Sequence, residues 1–94
     1  MFITYDPAKR AETLARRGLD MDDAALVFAG PVITVQDNRQ DYGEARFVTV
    51  GYLEHRMVWI AWTLRDETRR IISMRKANDR EIARLGPAFP LGTG

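Results

Sequence analysis

The sequence predicts a small α+β domain with the element order β-α-α-β-β-β-β-α, in which two helices pack on one face of an antiparallel sheet. Helix start and stop signals dominate the first 30 residues, and from residue 32 the apolar side chains recur with a period of two. The connections between the later segments are short, which favours antiparallel hairpins. Because 94 residues hold one hydrophobic core, we expect a single domain over residues 1–86 and a mobile tail over residues 87–94.

A short strand and a capped helix are predicted at the amino terminus. Residues 1–5 alternate between two faces, as in a strand. Asp6 is placed to cap a helix in which Pro7 takes the first position, where its missing N–H costs nothing. Gly18 can adopt the left-handed conformation that ends a helix. We therefore expect a helix over residues 7–17.

A second helix is predicted over residues 21–29, with Asp20 as its N-cap and Gly30 at its end. Asp22 and Asp23 lie in its first turn, where carboxylates interact favourably with the positive end of the helix dipole. These acidic residues therefore have a structural explanation, and we do not expect them to be catalytic.

Four strands and a last helix are predicted in the rest of the chain. The strands cover residues 32–36, 44–53, 57–65 and 69–76. Glu54 and His55 are expected to turn the chain between the second and third of these strands, and residues 66–68 between the third and fourth. Asn78 and Glu81 form a capping box that starts a short final helix. With two helices on one face of the sheet, we expect the other face to be solvated or to bind a ligand.

The composition excludes several classes of site. The absence of cysteine excludes a disulfide framework, a thiol nucleophile and a cysteine-bound zinc. The single histidine, His55, excludes a two-histidine metal site or a paired-histidine mechanism. We expect no cofactor. No signal peptide is recognisable, and the longest apolar run, residues 57–62, is too short to cross a membrane. We therefore expect a cytoplasmic protein with no membrane partner.

Positive charge is concentrated in the second half of the chain. Residues 1–43 carry five basic and seven acidic side chains, whereas residues 44–94 carry nine basic and six acidic ones. Twelve of the fourteen cations are arginine, which binds phosphates bidentately and stacks on bases. This asymmetry favours an anionic partner, although arginine-rich usage from a GC-rich genome would produce it as well. No predicted helix has a dense basic face, so direct binding of DNA is not expected.

The last predicted hairpin carries the candidate ligand-binding residues. Pairing Arg65 with Arg69 across the turn places Arg65 and Arg75 on the same face as Trp59. A register shift of one residue would move Arg75 to the opposite face. Arginines beside a tryptophan on an open sheet face could bind a phosphate and stack a base. Alternatively, they are solvated strand ends whose aliphatic stems cover apolar surface.

Five segments of the sequence stand in a recognisable order. They are F-I-T-Y-D-P-A-K-R at residues 2–10, R-R-G at 16–18, L-D-M-D-D-A-A-L-V-F at 19–28, D-x-R with D-Y-G-E-A-R-F between 37 and 47, and R-I-I-S-M-R-K-A-N-D-R-E at 70–81. Together they resemble the BrnT family of type II toxins over about residues 1–84. Tyr5, Arg17 and Met21 replace a tryptophan, a histidine and a phenylalanine that are frequent in the family. Any role of that histidine in the chemistry is lost here or passes to Arg17.

The resemblance implies a ribonuclease with a RelE-like fold, made beside a small BrnA-like antitoxin that carries a ribbon-helix-helix DNA-binding part. The free toxin would cut RNA and arrest translation. The antitoxin would cover it, as a 2:2 heterotetramer, and the complex would contact its operon DNA only through the antitoxin. A second reading stays open, in which the chain is a non-catalytic heterodimer partner or co-repressor that has lost nuclease activity.

Metal-independent cleavage of RNA requires a base for the 2′-hydroxyl, stabilisation of the phosphorane charge and a proton for the 5′-oxygen. With no histidine pair in the sequence, these roles are expected to fall on arginine, lysine and one carboxylate. We predict that Arg65 and Arg75 contact the scissile phosphate, with Arg46 and Lys76 as further phosphate-binding residues.

Two more residues are candidates for proton transfer. Lys9, near the start of the first helix, is a candidate proton carrier or phosphate ligand. Glu44, within the G-E-x-R segment, is the candidate carboxylate base. Alternatively, Glu44 forms a structural ion pair with Arg46.

Overall fold

The structure is a computed structural model that describes residues 1–89. It confirms the α+β class, with three α-helices and one five-stranded sheet. The strands are β1 (Ile3–Tyr5), β2 (Ile33–Gln36), β3 (Arg46–Leu53), β4 (Arg56–Arg65) and β5 (Thr68–Lys76). The α-helices are α1 (Pro7–Arg17), α2 (Ala24–Ala29) and α3 (Asp79–Leu85), and 3-10 helices cover Met21–Asp23 and Gly86–Ala88. The predicted second helix therefore begins as a 3-10 turn, capped by Asp20 as expected.

The sheet is mixed, so the prediction of a wholly antiparallel sheet is wrong for one strand. Its order is β1-β5-β4-β3-β2, and β2 to β5 form the expected antiparallel meander. β1 instead pairs in parallel with β5, with Ile3 opposite Arg69. Three residues of alternating sequence do not specify which sheet edge they join, because either direction of pairing satisfies the same alternation.

The first helix lies along the edge of β5 that β1 leaves unpaired. β1 pairs with β5 only as far as Ile71. Beyond that point, the Lys9 ammonium donates to the carbonyl of Ile72 at 2.7 Å, and the Arg17 guanidinium donates to the carbonyl of Met74 at 2.8 Å. The helix has no buried residue of its own, so these two bonds satisfy the sheet edge and attach α1 to it.

The hydrophobic core lies between α2 and one face of the sheet. Its fully buried members include Met21, Val27, Val58 and Ile60. The approach is closest at Gly51, where a Cβ atom would lie 2.7 Å from Cγ1 of Val27. We call this face of the sheet, which carries Val58, Ile60 and Trp62 of β4, the core face. The opposite face, which carries Trp59, Ala61 and Thr63, we call the groove face.

The carboxy-terminal elements cover one end of the groove face. Phe89 is 7% exposed and packs with Val50 and Met57, and its ring contacts Tyr52 edge-on at 5.0 Å. Residues 87–89, which were expected to belong to a mobile tail, are therefore part of the packed structure. The rest of that predicted tail, residues 90–94, lies outside the described residues.

A β-bulge decides on which face the arginines of the last hairpin lie. Arg65 pairs with Thr68 across a two-residue turn, rather than with Arg69 as predicted. This shift alone would place Arg75 on the core face. The register changes again between Ala61 and Trp62, leaving Ile72 as the extra residue of β5. The two shifts cancel, so Arg75 lies opposite Trp59 and on the same face as Arg65.

The turn between β3 and β4 stores backbone strain. Glu54 and His55 have φ of 50° and 67°, the left-handed region that a two-residue hairpin turn requires and that asparagine and glycine adopt more readily. We expect the double substitution Glu54→Asn with His55→Gly to raise the free energy of unfolding by about 0.5–1 kcal/mol. Urea unfolding measures this, and a lower stability of the variant would show that the native side chains contribute more than the strain costs.

Candidate nucleic-acid interface

Three rows of side chains cross the groove face from strand to strand. The basic row consists of Thr4, Arg70, Thr63 and Arg46, the apolar row of Ser73, Ala61, Val48 and Val35, and the aromatic row of Arg75, Trp59, Val50 and Ile33. Successive rows are two strand positions apart, which is roughly 7 Å. Phe89 and its neighbours cover the aromatic row in part, so the basic and apolar rows form the open part of this face.

Two arginines flank one carboxylate at the open end, and a third arginine lies on the neighbouring strand. Arg46, Arg65 and Arg70, which we call the arginine cluster, occupy neighbouring strand positions within roughly 10 Å of one another. Glu44 lies between two of them, with 3.5 Å separating its carboxylate oxygens from Nε of Arg46 and from Nη2 of Arg65. Both ion pairs are long, so the carboxylate is held loosely, and three positive charges face one negative charge.

Tyr42 and Thr63 hold this end of the site in place. The Arg46 guanidinium lies 4.1 Å from the centroid of the Tyr42 ring, a cation–π contact. The Thr63 hydroxyl, which is buried, donates to the carbonyl of Ala45 at 2.6 Å and so fixes the segment before β3. Arg46 Nε is itself buried, and within the described residues it has no hydrogen-bond partner.

Sequence reasoning missed Arg70. Simple alternation along residues 69–76 groups it with Lys76, away from Arg75, whereas the bulge at Ile72 moves it to the groove face. The signal that could have found it is the length of the turn. Two residues between β4 and β5 place Arg70 opposite Thr63, on the face of Arg65.

Arg75 lies elsewhere on the groove face and has its own partner. Its guanidinium makes a bidentate pair with Glu81 of α3, with both N–O distances 2.8 Å, and lies 4.6 Å from the centroid of the Trp59 ring. Trp59 stands six strand positions from Arg65, roughly 20 Å at 3.3 Å per residue. The structure thus places the two predicted phosphate ligands Arg65 and Arg75 on one face but does not bring them together.

Both lysines predicted for the site lie apart from the cluster. Lys76 is exposed and pairs with Val58, which places it on the core face and separates it from the arginines by the thickness of the sheet. Lys9 donates to the carbonyl of Ile72 at the outer edge of β5. Of the six predicted residues, the structure brings together only Glu44, Arg46 and Arg65.

Glu81 joins the interface to the start of the last helix. Its carboxylate accepts from the backbone N–H of Asn78 at 2.9 Å while it also holds Arg75, which confirms the predicted capping box. The Arg75 guanidinium, and next the Asn78 N–H, lower the pKa of Glu81 to about 2. The orientation of Arg75 over Trp59 therefore depends on an ionised Glu81.

This pair predicts a loss of stability in acid. A carboxylate whose pKa is depressed by folding stabilises the fold above its ordinary pKa of 4.5, and the stabilisation is lost as the pH falls from there toward about 2. Glu81→Gln retains an N3 side chain able to complete the capping box but removes the titration. We expect the urea midpoint of this variant to fall less than that of the parent between about pH 5 and pH 2.5. Equal falls in the two proteins would contradict the assignment.

The loop between β2 and β3, residues 37–45, forms a wall beside the apolar row, and we call it the Asp37 loop. Asp37 accepts hydrogen bonds from Nε, Nη2 and the backbone N–H of Arg39 and from the hydroxyl of Tyr42, at 2.9–3.1 Å. The Arg39 guanidinium, foremost among these partners, holds the pKa of Asp37 well below its usual range. The D-x-R motif therefore closes a compact loop. Between this loop and the aromatic row lies a groove of about 480 Å³.

Within residues 1–89, no group of three or more His, Cys, Asp or Glu side chains is arranged to hold a metal ion. No helix in this part of the chain combines the length and apolar character needed to cross a membrane. His55 is exposed in its turn, apart from the arginine cluster.

Comparison with known proteins identifies the family. A family model described as "Ribonuclease toxin, BrnT, of type II toxin-antitoxin system" matches residues 5–81. The match includes the arginine cluster, the Asp37 loop and the Arg75–Glu81 pair. No curated protein matches the chain. Since the family model covers well over half of the sequence, the chain belongs to the BrnT family of ribonuclease toxins of type II toxin–antitoxin systems.

Proposed function

We propose that the chain is a metal-independent endoribonuclease whose scissile phosphate binds at the arginine cluster. Membership of a ribonuclease toxin family supports the reaction class. The observation that carries the location is the pairing of Arg46 and Arg65 with Glu44 on the groove face, with Arg70 on the neighbouring strand. A partly buried guanidinium such as Arg46, with a buried Nε that lacks a hydrogen bond, is stabilised further by an anion.

In this proposal the arriving phosphate releases Glu44. Phosphate oxygens compete with the carboxylate for Arg46 and Arg65, and the 3.5 Å ion pairs are weak enough to be exchanged. The freed carboxylate then takes the proton of the ribose 2′-hydroxyl, whose oxygen attacks the phosphorus. The bond from phosphorus to the 5′-oxygen breaks, and that oxygen takes a proton from water. The hydroxide that remains takes the proton held by Glu44, which restores the carboxylate. The products are a 2′,3′-cyclic phosphate and a 5′-hydroxyl.

The arginines supply the larger part of the rate enhancement. Guanidinium groups fixed at the phosphate stabilise the negative charge that grows on its oxygens, and loss of one such donor typically costs 10²–10³-fold in rate. A positioned base contributes roughly 10²–10⁴-fold. Arg70 serves the same phosphate from the other side of Thr63, in place of Arg75 and Lys76.

Type II toxins pair with a protein antitoxin, and the charge of the groove face suggests how. We propose further that the fold is RelE-like and that the enzyme cuts cytoplasmic RNA and inhibits translation. We also propose that its antitoxin is BrnA-like and carries a ribbon-helix-helix part. In a 2:2 heterotetramer, an acidic antitoxin segment would cover the arginine cluster, and operon DNA would be contacted through the antitoxin alone. Its acidic side chains would replace the phosphates that the cluster binds.

A non-catalytic partner protein is the second candidate, and two contacts favour it. Lys9 and Arg75, both expected at the site, are engaged by a backbone carbonyl and by Glu81. Expression with and without the adjacent antitoxin gene separates the candidates. A nuclease arrests growth and shortens cellular RNA only when the antitoxin is absent, whereas a co-repressor leaves growth and RNA length unchanged in both cultures.

A further inference from the structure

We infer that the groove between the Asp37 loop and the aromatic row is a nucleobase-binding pocket, which receives an unpaired base beside the scissile phosphate and sets the cleavage preference. The inference rests on the proposed function, because it takes the RNA strand to be held at the arginine cluster. It concerns a separate part of the groove face, whose residues have no part in the chemistry.

The floor and one wall of this groove are suited to a flat aromatic ligand. Val35, Val48 and Ala61 of the apolar row form the floor. Trp59 and Arg75 form the wall, with the guanidinium 4.6 Å from the ring centroid, so aromatic and cationic surfaces are continuous. Bases stack on both kinds of surface in single-stranded RNA recognition. A volume of about 480 Å³ lies in the range of small-ligand sites.

The opposite wall offers groups that can read the edge of a base. Asn38 lines the groove from the loop, is exposed, and forms no side-chain hydrogen bond within the described residues. An amide offers a donor and an acceptor in the spacing that pairs with a base edge. The Asp37–Arg39 pair beside it, with both N–O distances 2.9 Å, holds the loop backbone in place. The backbone that carries Asn38 is therefore held in place.

The distance to the arginine cluster fits a neighbouring nucleotide. The apolar row lies next to the basic row, two strand positions or roughly 7 Å away. The nucleotide next to a phosphate held at Arg46 and Arg70 is therefore close enough to place its base in the groove. A base can enter it only when it is unstacked, since the bases of a duplex are turned inward. Double-stranded RNA is thus excluded.

The first test measures binding without cleavage. The probes are a 2′-O-methyl oligoribonucleotide of four residues, which lacks the 2′-hydroxyl nucleophile, and an abasic oligomer with the same phosphates. We expect the intact probe to bind at least tenfold more tightly and to change the fluorescence of Trp59. Trp59→Phe should abolish that signal and preserve affinity, because the indole N–H makes no hydrogen bond within residues 1–89. Equal affinities of the two probes, or binding of neither, would overturn the inference.

The second test reads the cleavage preference. Sequencing of RNA ends gives the distribution of bases at the cut sites for Asn38→Ala, for Ala61→Leu, which fills the floor, and for Glu12→Ala. Glu12 is an exposed polar side chain on α1, away from the groove face, and it serves as the control. We expect the first two variants to flatten or change the distribution and the control to retain it. An unchanged distribution in both groove variants would overturn the inference.

The two tests separate this inference from the proposed function. If the protein distinguishes intact from abasic probes but cuts no RNA, the nucleobase pocket is supported and the nuclease activity is contradicted. If the protein cuts RNA but binds both probes equally, and the variants leave the distribution of cut sites unchanged, the nuclease activity is supported and the nucleobase pocket is contradicted.

Discussion

Glu44→Gln is expected to lower the rate of RNA cleavage by roughly 10²–10⁴-fold, because the amide cannot take the proton of the 2′-hydroxyl. Affinity for RNA should stay the same or rise, since the substitution removes a negative charge from between Arg46 and Arg65. Stability should change by less than about 1 kcal/mol, because the ion pairs are long and partly solvated. Single-turnover cleavage, RNA titration and urea unfolding measure the three quantities.

Glu12→Gln is the matched control for this substitution. Glu12 is an exposed carboxylate on α1 that pairs with Arg16 at 3.4 Å, away from the groove face. Its replacement should leave cleavage unchanged. If Glu44→Gln retains full activity, Glu44 is not the base. If the variant loses activity only because it unfolds, the structural ion pair with Arg46 is its role.

Arg65→Ala and Arg46→Ala are each expected to slow cleavage by roughly 10²–10³-fold, because each removes a donor from the developing charge on the phosphate. Arg65→Lys should recover part of the loss, since lysine keeps the charge but not the two-pronged geometry of arginine. Each alanine variant should also reduce the dependence of log affinity on log salt by about 0.7 for single-stranded RNA. Cleavage rates and salt titrations check both effects.

Arg56→Ala provides the control for the arginine variants. Arg56 is exposed at the other end of β4 and lies on the core face, in step with Val58. Loss of one positive charge from that position should change neither the cleavage rate nor the salt dependence of RNA binding. Equal effects at Arg56 and Arg65 would indicate a nonspecific contribution of net charge rather than a phosphate site.

Local signals predicted the helices well because each helix is delimited within a few residues. Asp6 accepts from the N–H of Ala8 at 2.9 Å, Gly18 has φ of 67°, and Asn78 with Glu81 forms the capping box. Caps of this kind depend on side chains adjacent in sequence, so the sequence alone reveals them. The pairing partner of β1 depends on packing across the whole domain, and alternation in three residues contains no information about it.

The candidate site was predicted in part, and the β-bulge explains the rest. Simple alternation along β5 assigned Arg70 to the wrong face. The extra residue at Ile72 reverses the alternation of side chains between the two faces, and no sequence motif indicates this bulge. The predicted face of Arg75 is correct, although the predicted turn is not, because two register shifts cancel. From the sequence, Lys9 and Arg75 are available to bind phosphate. In the structure, Lys9 donates to a backbone carbonyl and Arg75 pairs with Glu81. Such partners, 63 and six residues away, become visible only in three dimensions.

We propose that the arginine cluster cleaves RNA without a metal ion. The most direct test incubates the purified chain with single-stranded RNA in excess EDTA and determines the chemistry of the new ends. We predict 2′,3′-cyclic phosphate and 5′-hydroxyl ends, formed by the parent and lost in the double variant Arg46→Ala with Arg65→Ala. Cleavage that EDTA abolishes, or that the double variant retains at the parental rate, would contradict the account.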